Sequence, residues 1–205
     1  MNIDSIMREA PVIPVLVLDD VASARSTAEA LVRGGLNVLE VTLRTPAALD
    51  IIREMAAVEG AIVGAGTVLN AAQMDAAIAA GSRFIVSPGL TEPLAKAAID
   101  RQVPFLPGVS NAGDIMRGLD LGLDRFKFFP AEAAGGRKAL QALAAPFGAI
   151  RFCPTGGIKL ESAPDWLAEP SVLCVGGSWI VPSGETDMAV IEKRAREASG
   201  LAHGA

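Results

Sequence analysis

The chain has 205 residues, of which 51% are hydrophobic and 20% charged, a composition that builds one sizeable core without disulfides and excludes a disordered chain. Aromatic residues are 4%, Tyr is absent and the net charge is −5 with no basic run, so no nucleic-acid partner is expected. The single histidine, His203, sits in the C-terminal tail, which excludes Ser-His-Asp, Cys-His and histidine-rich metal chemistry and leaves proton transfer to carboxylates, lysines and water.

In chain order, residues 2–9 read as a short helix ahead of the first strand. Apolar, β-branched runs then recur at 12–18, 37–43, 61–68, 83–87, 104–109, 125–129, 150–154 and 172–175. Between them, Ala-rich stretches with helical spacing cover 21–33, 46–58, 70–80, 91–101 and 135–147, and a last helix is expected at 185–199. Punctuation supports these limits. Gly34-Gly35 suits a helix end, Pro46 a first helical turn, and Asn70 with Gln73 three residues later a capping box. Strand followed by helix, repeated, is the pattern of parallel βα units. It predicts an α/β fold, a (β/α)₈ TIM barrel with an extra N-terminal helix; a doubly wound sheet is the alternative, because periodicity does not show closure. No linker divides the chain, so residues 1–205 read as a single domain. The apolar run at 11–18 contains two prolines and follows Asp4 and Glu9 rather than a basic leader. Nothing approaches the roughly 18 apolar residues of a membrane span, so a cytoplasmic protein with no membrane partner is expected.

In parallel βα folds, ligands bind at the carboxyl ends of the strands. The run at 125–129 places Lys127 opposite Phe126 and Phe128, and the run at 37–43 places Glu40 and Thr42 opposite Leu39, Val41 and Leu43. If the apolar sets pack on helices, Lys127 and Glu40 both point inward. Burial favours a neutral amine, which attacks a ketone to form a Schiff base, and a nearby carboxylate then shuttles protons. A structural Glu–Lys ion pair with no catalytic task is equally compatible with these residues. Arg44, at the end of its strand, suits a carboxylate by a bidentate fork, or is simply a solvated arginine. Gly64-Ala65-Gly66-Thr67 admits close backbone approach and offers a hydroxyl, and Ser87-Pro88-Gly89 forms a pocket wall or a turn. Two glycine pairs, Gly156-Gly157 and Gly176-Gly177 with Ser178, follow the last two runs, where barrel enzymes frequently bind phosphate. Cys153 and Cys174 lie in apolar runs and are read as core. The acidic residues are scattered without ligand spacing, so neither a metal nor a cofactor is expected.

Taken together, Leu39–Thr45, Gly64–Leu69, Ser87–Gly89, Phe126–Glu132, Cys153–Ile158 and Gly176–Trp179 closely resemble the family of 2-keto-3-deoxy-6-phosphogluconate and 4-hydroxy-2-oxoglutarate aldolases. The resemblance spans about residues 10–182. It implies a class I aldolase on a (β/α)₈ barrel, usually a homotrimer, that releases pyruvate from a phosphorylated 2-keto acid without a cofactor. Lys127 would be the Schiff-base lysine and Glu40 the proton shuttle. Arg44 and Thr67 would hold the substrate carboxylate, with Pro88, Phe129 and Thr155 in the pocket, and Gly156, Gly157, Gly177 and Ser178 would cradle phosphate. The galactonate-type aldolase is the nearest alternative. A phosphosugar isomerase or epimerase and a non-catalytic phosphometabolite binder are more distant ones.

Overall fold

The computed structural model describes residues 1–202; His203 lies outside the described residues. The elements follow the order α1 (Ile3–Met7), β1 (Val12–Leu16), α2 (Ala24–Arg33), β2 (Val38–Thr42), α3 (Ala48–Ala56) and β3 (Ile62–Gly66). Next come α4 (Ala71–Ala79), β4 (Phe84–Val86), α5 (Glu92–Asp100), β5 (Phe105–Leu106), β6 (Gly108–Val109) and α6 (Ala112–Asp120). The last are β7 (Arg125–Phe128), α7 (Gly136–Ala144), β8 (Arg151–Pro154), α8 (Ala163–Leu167), β9 (Val175–Gly177) and α9 (Met188–Ser199). Every strand pair is parallel. A curled six-stranded sheet runs β5-β4-β3-β2-β1-β9, and a three-stranded sheet runs β6-β7-β8.

Two strand limits differ from expectation, each for a reason in the backbone. The run at 104–109 is broken into β5 and β6 by Pro107, which has no N–H to give a ladder, although its carbonyl accepts from Lys127 N–H at 2.9 Å. The last strand is 175–177 rather than 172–175. Val172 makes only an isolated bridge to Phe152, and the ladder with β1 begins where Val175 N–H reaches Pro11 at 2.9 Å. Gly176 and Gly177 are therefore strand residues, not loop residues.

The helix punctuation is partly as expected. α2 ends in a Schellman turn: Gly35 has φ +90°, its N–H donates to Val32 C=O, and Leu36 N–H donates to Leu31 C=O. Asn70 caps α4 by accepting from Gln73 N–H at 2.9 Å. Gln73, however, reaches back to Leu69 N–H rather than to that of the cap residue, so the box is displaced by one residue. Pro46 precedes the cap Ala47 and lies in the turn before α3, not inside it. Helices α6 and α8 lie outside the Ala-rich stretches named above, although eight strand–helix units imply a helix in each gap. The signal for α6 was present, because Asn111 accepts from Asp114 N–H at 3.0 Å and Asp114 accepts from Ser110 N–H at 3.1 Å.

The strands alternate between two buried faces. Leu39, Val41, Val63, Ala65, Ile85, Phe126, Phe128, Phe152 and Val175 pack outward against the helices. Ile13, Val38, Ile62, Phe84, Leu106, Cys153 and Cys174 form a second, inner cluster. α1 closes the amino-terminal end of that inner cluster. At five residues it is too short to persist on propensity alone. Burial of Ile6 and Met7 holds it, at about 1.5–3 kcal/mol each. Asp4 adds an ion pair with Arg125 on β7 at 2.6 Å, and that guanidinium holds the Asp4 carboxyl below the usual carboxylate range. With the amino-terminal end plugged, the carboxyl ends of the strands are left for ligands. Among the described residues, no helix is long and apolar enough to cross a membrane.

Candidate active site

At the carboxyl-terminal side of the inner face, Lys127 of β7 meets Glu40 of β2. Nζ lies 3.0 Å from Oε1 and 3.5 Å from Oε2. Their side chains are 6% and 4% exposed, so both charges are removed from bulk water. The alternation that buries Phe126 and Phe128 outward forces Lys127 inward, and Leu39 and Val41 do the same for Glu40. Space for the carboxylate comes from β3: a Cβ at Gly66 would overlap Glu40 Oε1 and crowd its Cγ at 2.7 Å. The Phe129 ring centroid stands 5.3 Å from Lys127 Nζ, within cation–π range. Beneath the pair lie the two thiols. Contact with Cys153, and then burial, push the Cys174 thiol well above its usual range, so it stays protonated and inert. The core role expected of both cysteines fits their burial.

The remaining expected site residues are placed as follows. Thr67 follows Gly66 directly and has φ +60°, an unusual backbone for a β-branched residue. Pro88 sits where its carbonyl approaches Gly108, the register partner of Lys127, and Ser87 Oγ closes a turn on Gly89 C=O at 2.7 Å. Thr155 is buried and bridges to Gly176. Thr42, on the Glu40 face, donates to Leu16 C=O at 2.9 Å and is committed to the strand. Arg44 lies in the turn after β2, exposed, and makes no hydrogen bond or ion pair among the described residues. The structure thus brings Lys127, Glu40 and Phe129 into direct contact, whereas Arg44 has no polar contact with them.

Gly156 and Gly157 have φ +107° and +83°, so the loop after β8 takes a backbone that side-chain-bearing residues resist. The loop is braced by Glu132, whose Oε1 accepts from Trp166 Nε1 at 3.0 Å and whose stem fills the space where a Gly157 Cβ would lie. Gly157 and Ser178 face one cleft of about 490 Å³, with Ile158, Lys159, Trp179 and Val15 among its walls. Gly177 differs from them. It pairs with Pro14 in the β1 register, and its missing Cβ makes room for the Trp179 ring. A substitution there would test packing before it tested ligand binding. Sequence reasoning assigned no site role to Val15, Lys159 or Trp179; local signals were present for Lys159, two residues after a glycine pair, and for Trp179, next to Ser178. Among the described residues no three His, Cys, Asp or Glu side chains gather as a metal-binding group.

The Thr67 backbone gives a stability test that separates main chain from hydroxyl. Ala keeps the left-handed cost and Gly removes it. Thr67→Gly is expected to be more stable than Thr67→Ala by roughly 1 kcal/mol, a Tm difference of about 2–4 °C for a chain of this size. Equal melting temperatures for the two variants would show that this turn stores no strain.

Comparison with known proteins adds three findings. Residues 3–194 match the family described as "Aldolase: KDPG and KHG aldolase". The 2-dehydro-3-deoxy-phosphogluconate aldolase of Zymomonas mobilis is 62% identical over 200 residues, covering 98% of this chain and 96% of that protein. Among solved structures, the 2-keto-3-deoxy-6-phosphogluconate aldolase of Zymomonas mobilis ZM4 with 3-phosphoglycerate superposes with a TM-score of 0.96 at 61% identity, covering 98% and 96% of the two chains. The KDPG aldolase of Legionella pneumophila, with pyruvate captured as a covalent carbinolamine intermediate, does so with 0.94 at 40% identity, covering 97% and 98%.

Proposed function

The chain belongs to the KDPG and KHG aldolase family, and from that premise we propose that the buried Lys127–Glu40 pair is its catalytic centre. The enzyme is a lyase that cleaves 2-keto-3-deoxy-6-phosphogluconate to pyruvate and glyceraldehyde 3-phosphate. The observation that carries the site is the 3.0 Å contact between an amine and a carboxylate, on facing strands, in a space cleared by Gly66.

The chemistry follows from these two groups. Lys127 gives up a proton to water and adds as the amine to the C2 ketone, and the carbinolamine takes that proton back at its departing hydroxyl and loses water to give an iminium. The iminium accepts an electron pair. Glu40 takes the C4 hydroxyl proton, the C4–O⁻ pair forms the aldehyde, and the C3–C4 bond pair moves into the iminium to give an enamine. Glyceraldehyde 3-phosphate leaves. The proton held by Glu40 returns to C3, and water hydrolyses the resulting pyruvyl iminium to pyruvate and free Lys127. Arg44, unpaired among the described residues, and the Thr67 hydroxyl are suited to the substrate carboxylate, with Pro88, Phe129 and Thr155 around the reacting carbons. Gly157 and Ser178 line the phosphate end, Gly156 beside them shapes its loop, and Gly177 completes the phosphate cradle from β9, where it also seats the Trp179 ring.

The same reading takes residues 1–205 as one domain and the two sheets as one closed (β/α)₈ barrel. β5 and β6 adjoin across Pro107, and the bridges Phe152–Val172 and Thr155–Gly176 link the β8 side to β9, which supports closure. A homotrimer in the cytoplasm, implied by the family resemblance, completes it; sedimentation equilibrium tests the trimer. Activity is tested by steady-state pyruvate release from 2-keto-3-deoxy-6-phosphogluconate, its galactonate epimer and 4-hydroxy-2-oxoglutarate. The first is expected to have the highest kcat/KM, and absence of pyruvate release from it would overturn the assignment.

A further inference from the structure

The phosphate end of the proposed site lacks charge. Gly156, Gly157 and Ser178 offer N–H and O–H donors but no cation, and the chain as a whole carries −5. The cleft that Gly157 and Ser178 face contains the side chain of Lys159, the one charged group among the described residues that line it. The Lys159 backbone is pinned in a tight turn. Its N–H donates to Ser162 Oγ at 3.1 Å, and its C=O accepts from Ser162 N–H at 3.1 Å and Ala163 N–H at 2.9 Å. Its ammonium makes no ion pair or hydrogen bond among the described residues, even though Glu161 and Glu197 line the adjoining recess. Lys96 and Lys193, by contrast, are each paired with a carboxylate one helical turn away. A cation held at its root, free at its tip and opening on a cleft of neutral donors is suited to contact an anion.

We infer that Lys159 is the charged contact of the substrate phosphate and sets the enzyme's preference for phosphorylated over unphosphorylated 2-keto acids. The inference rests on the reading that Gly157 and Ser178 hold the phosphate. The glycine loop and the Ser178 hydroxyl position the phosphate, and Lys159 supplies the opposite charge. An ammonium on a flexible four-carbon stem suits this task as a point charge, needing no bidentate geometry. Because the lysine is exposed, the contact is screened by salt and its contribution is modest. Its effect belongs in KM, since the phosphate is remote from the breaking bond and Lys159 touches neither Lys127 nor Glu40.

The test uses the full chain and inorganic phosphate as the probe, titrated calorimetrically into wild type, Lys159→Gln and Lys159→Arg at low ionic strength. The phosphate Kd is expected to rise about 3- to 10-fold in Lys159→Gln and to be largely kept in Lys159→Arg. KM for the phosphorylated substrate should rise by the same factor with kcat nearly unchanged, and KM for 4-hydroxy-2-oxoglutarate should not move. In about 1 M salt, where screening reaches roughly 3 Å, wild type and Lys159→Gln should converge. Phosphate affinity unchanged in Lys159→Gln, no phosphate binding by the wild type, or equal KM increases on both substrates would each overturn the inference. Failure of the aldolase reading has a different signature: no pyruvate adduct forms on Lys127 of the wild type, whatever phosphate does.

Discussion

Borohydride added with pyruvate is expected to leave a reduced adduct on Lys127 and on no other lysine, read by peptide mass analysis. The selectivity follows from the surroundings. Lys127 is buried beside an aromatic ring and a carboxylate, whereas Lys96 is 60% exposed and its contact with Glu92 holds its ammonium above the usual lysine range. Lys138 and Lys159 are exposed, and Lys193 pairs with Glu197. An exposed ammonium keeps its hydration shell, so it does not compete for the ketone. Lys127→Arg keeps a cation opposite Glu40 but cannot form an imine, and turnover should fall by at least about 10⁴-fold, in line with removal of a covalent nucleophile. Appreciable turnover in a folded Lys127→Arg protein, or an adduct on Lys96, Lys138, Lys159 or Lys193, would place the chemistry elsewhere.

Glu40→Gln carries the second large effect. The amide preserves shape and an acceptor for Lys127 but cannot take the C4 hydroxyl proton. A fall in kcat of roughly 10²- to 10⁴-fold is expected, the usual span for a general acid–base group. The pyruvate adduct on Lys127 should still form, because the amine is still in place. Loss of cleavage with retention of trapping separates the two roles. Breaking a buried pair by removing one partner costs about 3–5 kcal/mol, so circular dichroism and a melting curve must accompany the kinetics. Near-normal kcat in a folded Glu40→Gln protein would assign the proton transfers to water or to another group.

Much of the centre was legible in the sequence because strand alternation is a local rule. Phe126 and Phe128 flanking Lys127, and Leu39 and Val41 flanking Glu40, left one inward direction for each charged side chain. Helix ends were legible where their chemistry is local, as at Gly34-Gly35 and Asn70. Local rules misled at three places. Pro107 interrupts a run that reads as continuous, because its hydropathy fits a strand and its missing N–H does not. The Gly176-Gly177 pair, which follows the apolar run at 172–175, lies inside β9, with Gly177 against Trp179, a neighbour that no pattern at that position announces. The helix at 112–120 lies outside the Ala-rich stretches, and its Asn111–Asp114 cap is the local signal that marks its start.

What the sequence determined by itself is the repeated strand–helix order and the inward side of each strand, since each depends on residue type and near-neighbour spacing alone. The tertiary structure decided which inward groups meet. Lys127 and Glu40 are 87 positions apart, and their contact at 3.0 Å depends on the curl that brings β7 opposite β2, on the register that sets Glu40 against Gly64, and on the bare backbone of Gly66 beside the carboxylate. It also decided that Gly157, Lys159 and Ser178 share one cleft, where a bridge between Thr155 and Gly176 joins the loop after β8 to β9. A side chain's direction is a property of its own strand. Its partner is a property of how the strands are arranged, and that arrangement is set by packing summed over the whole core.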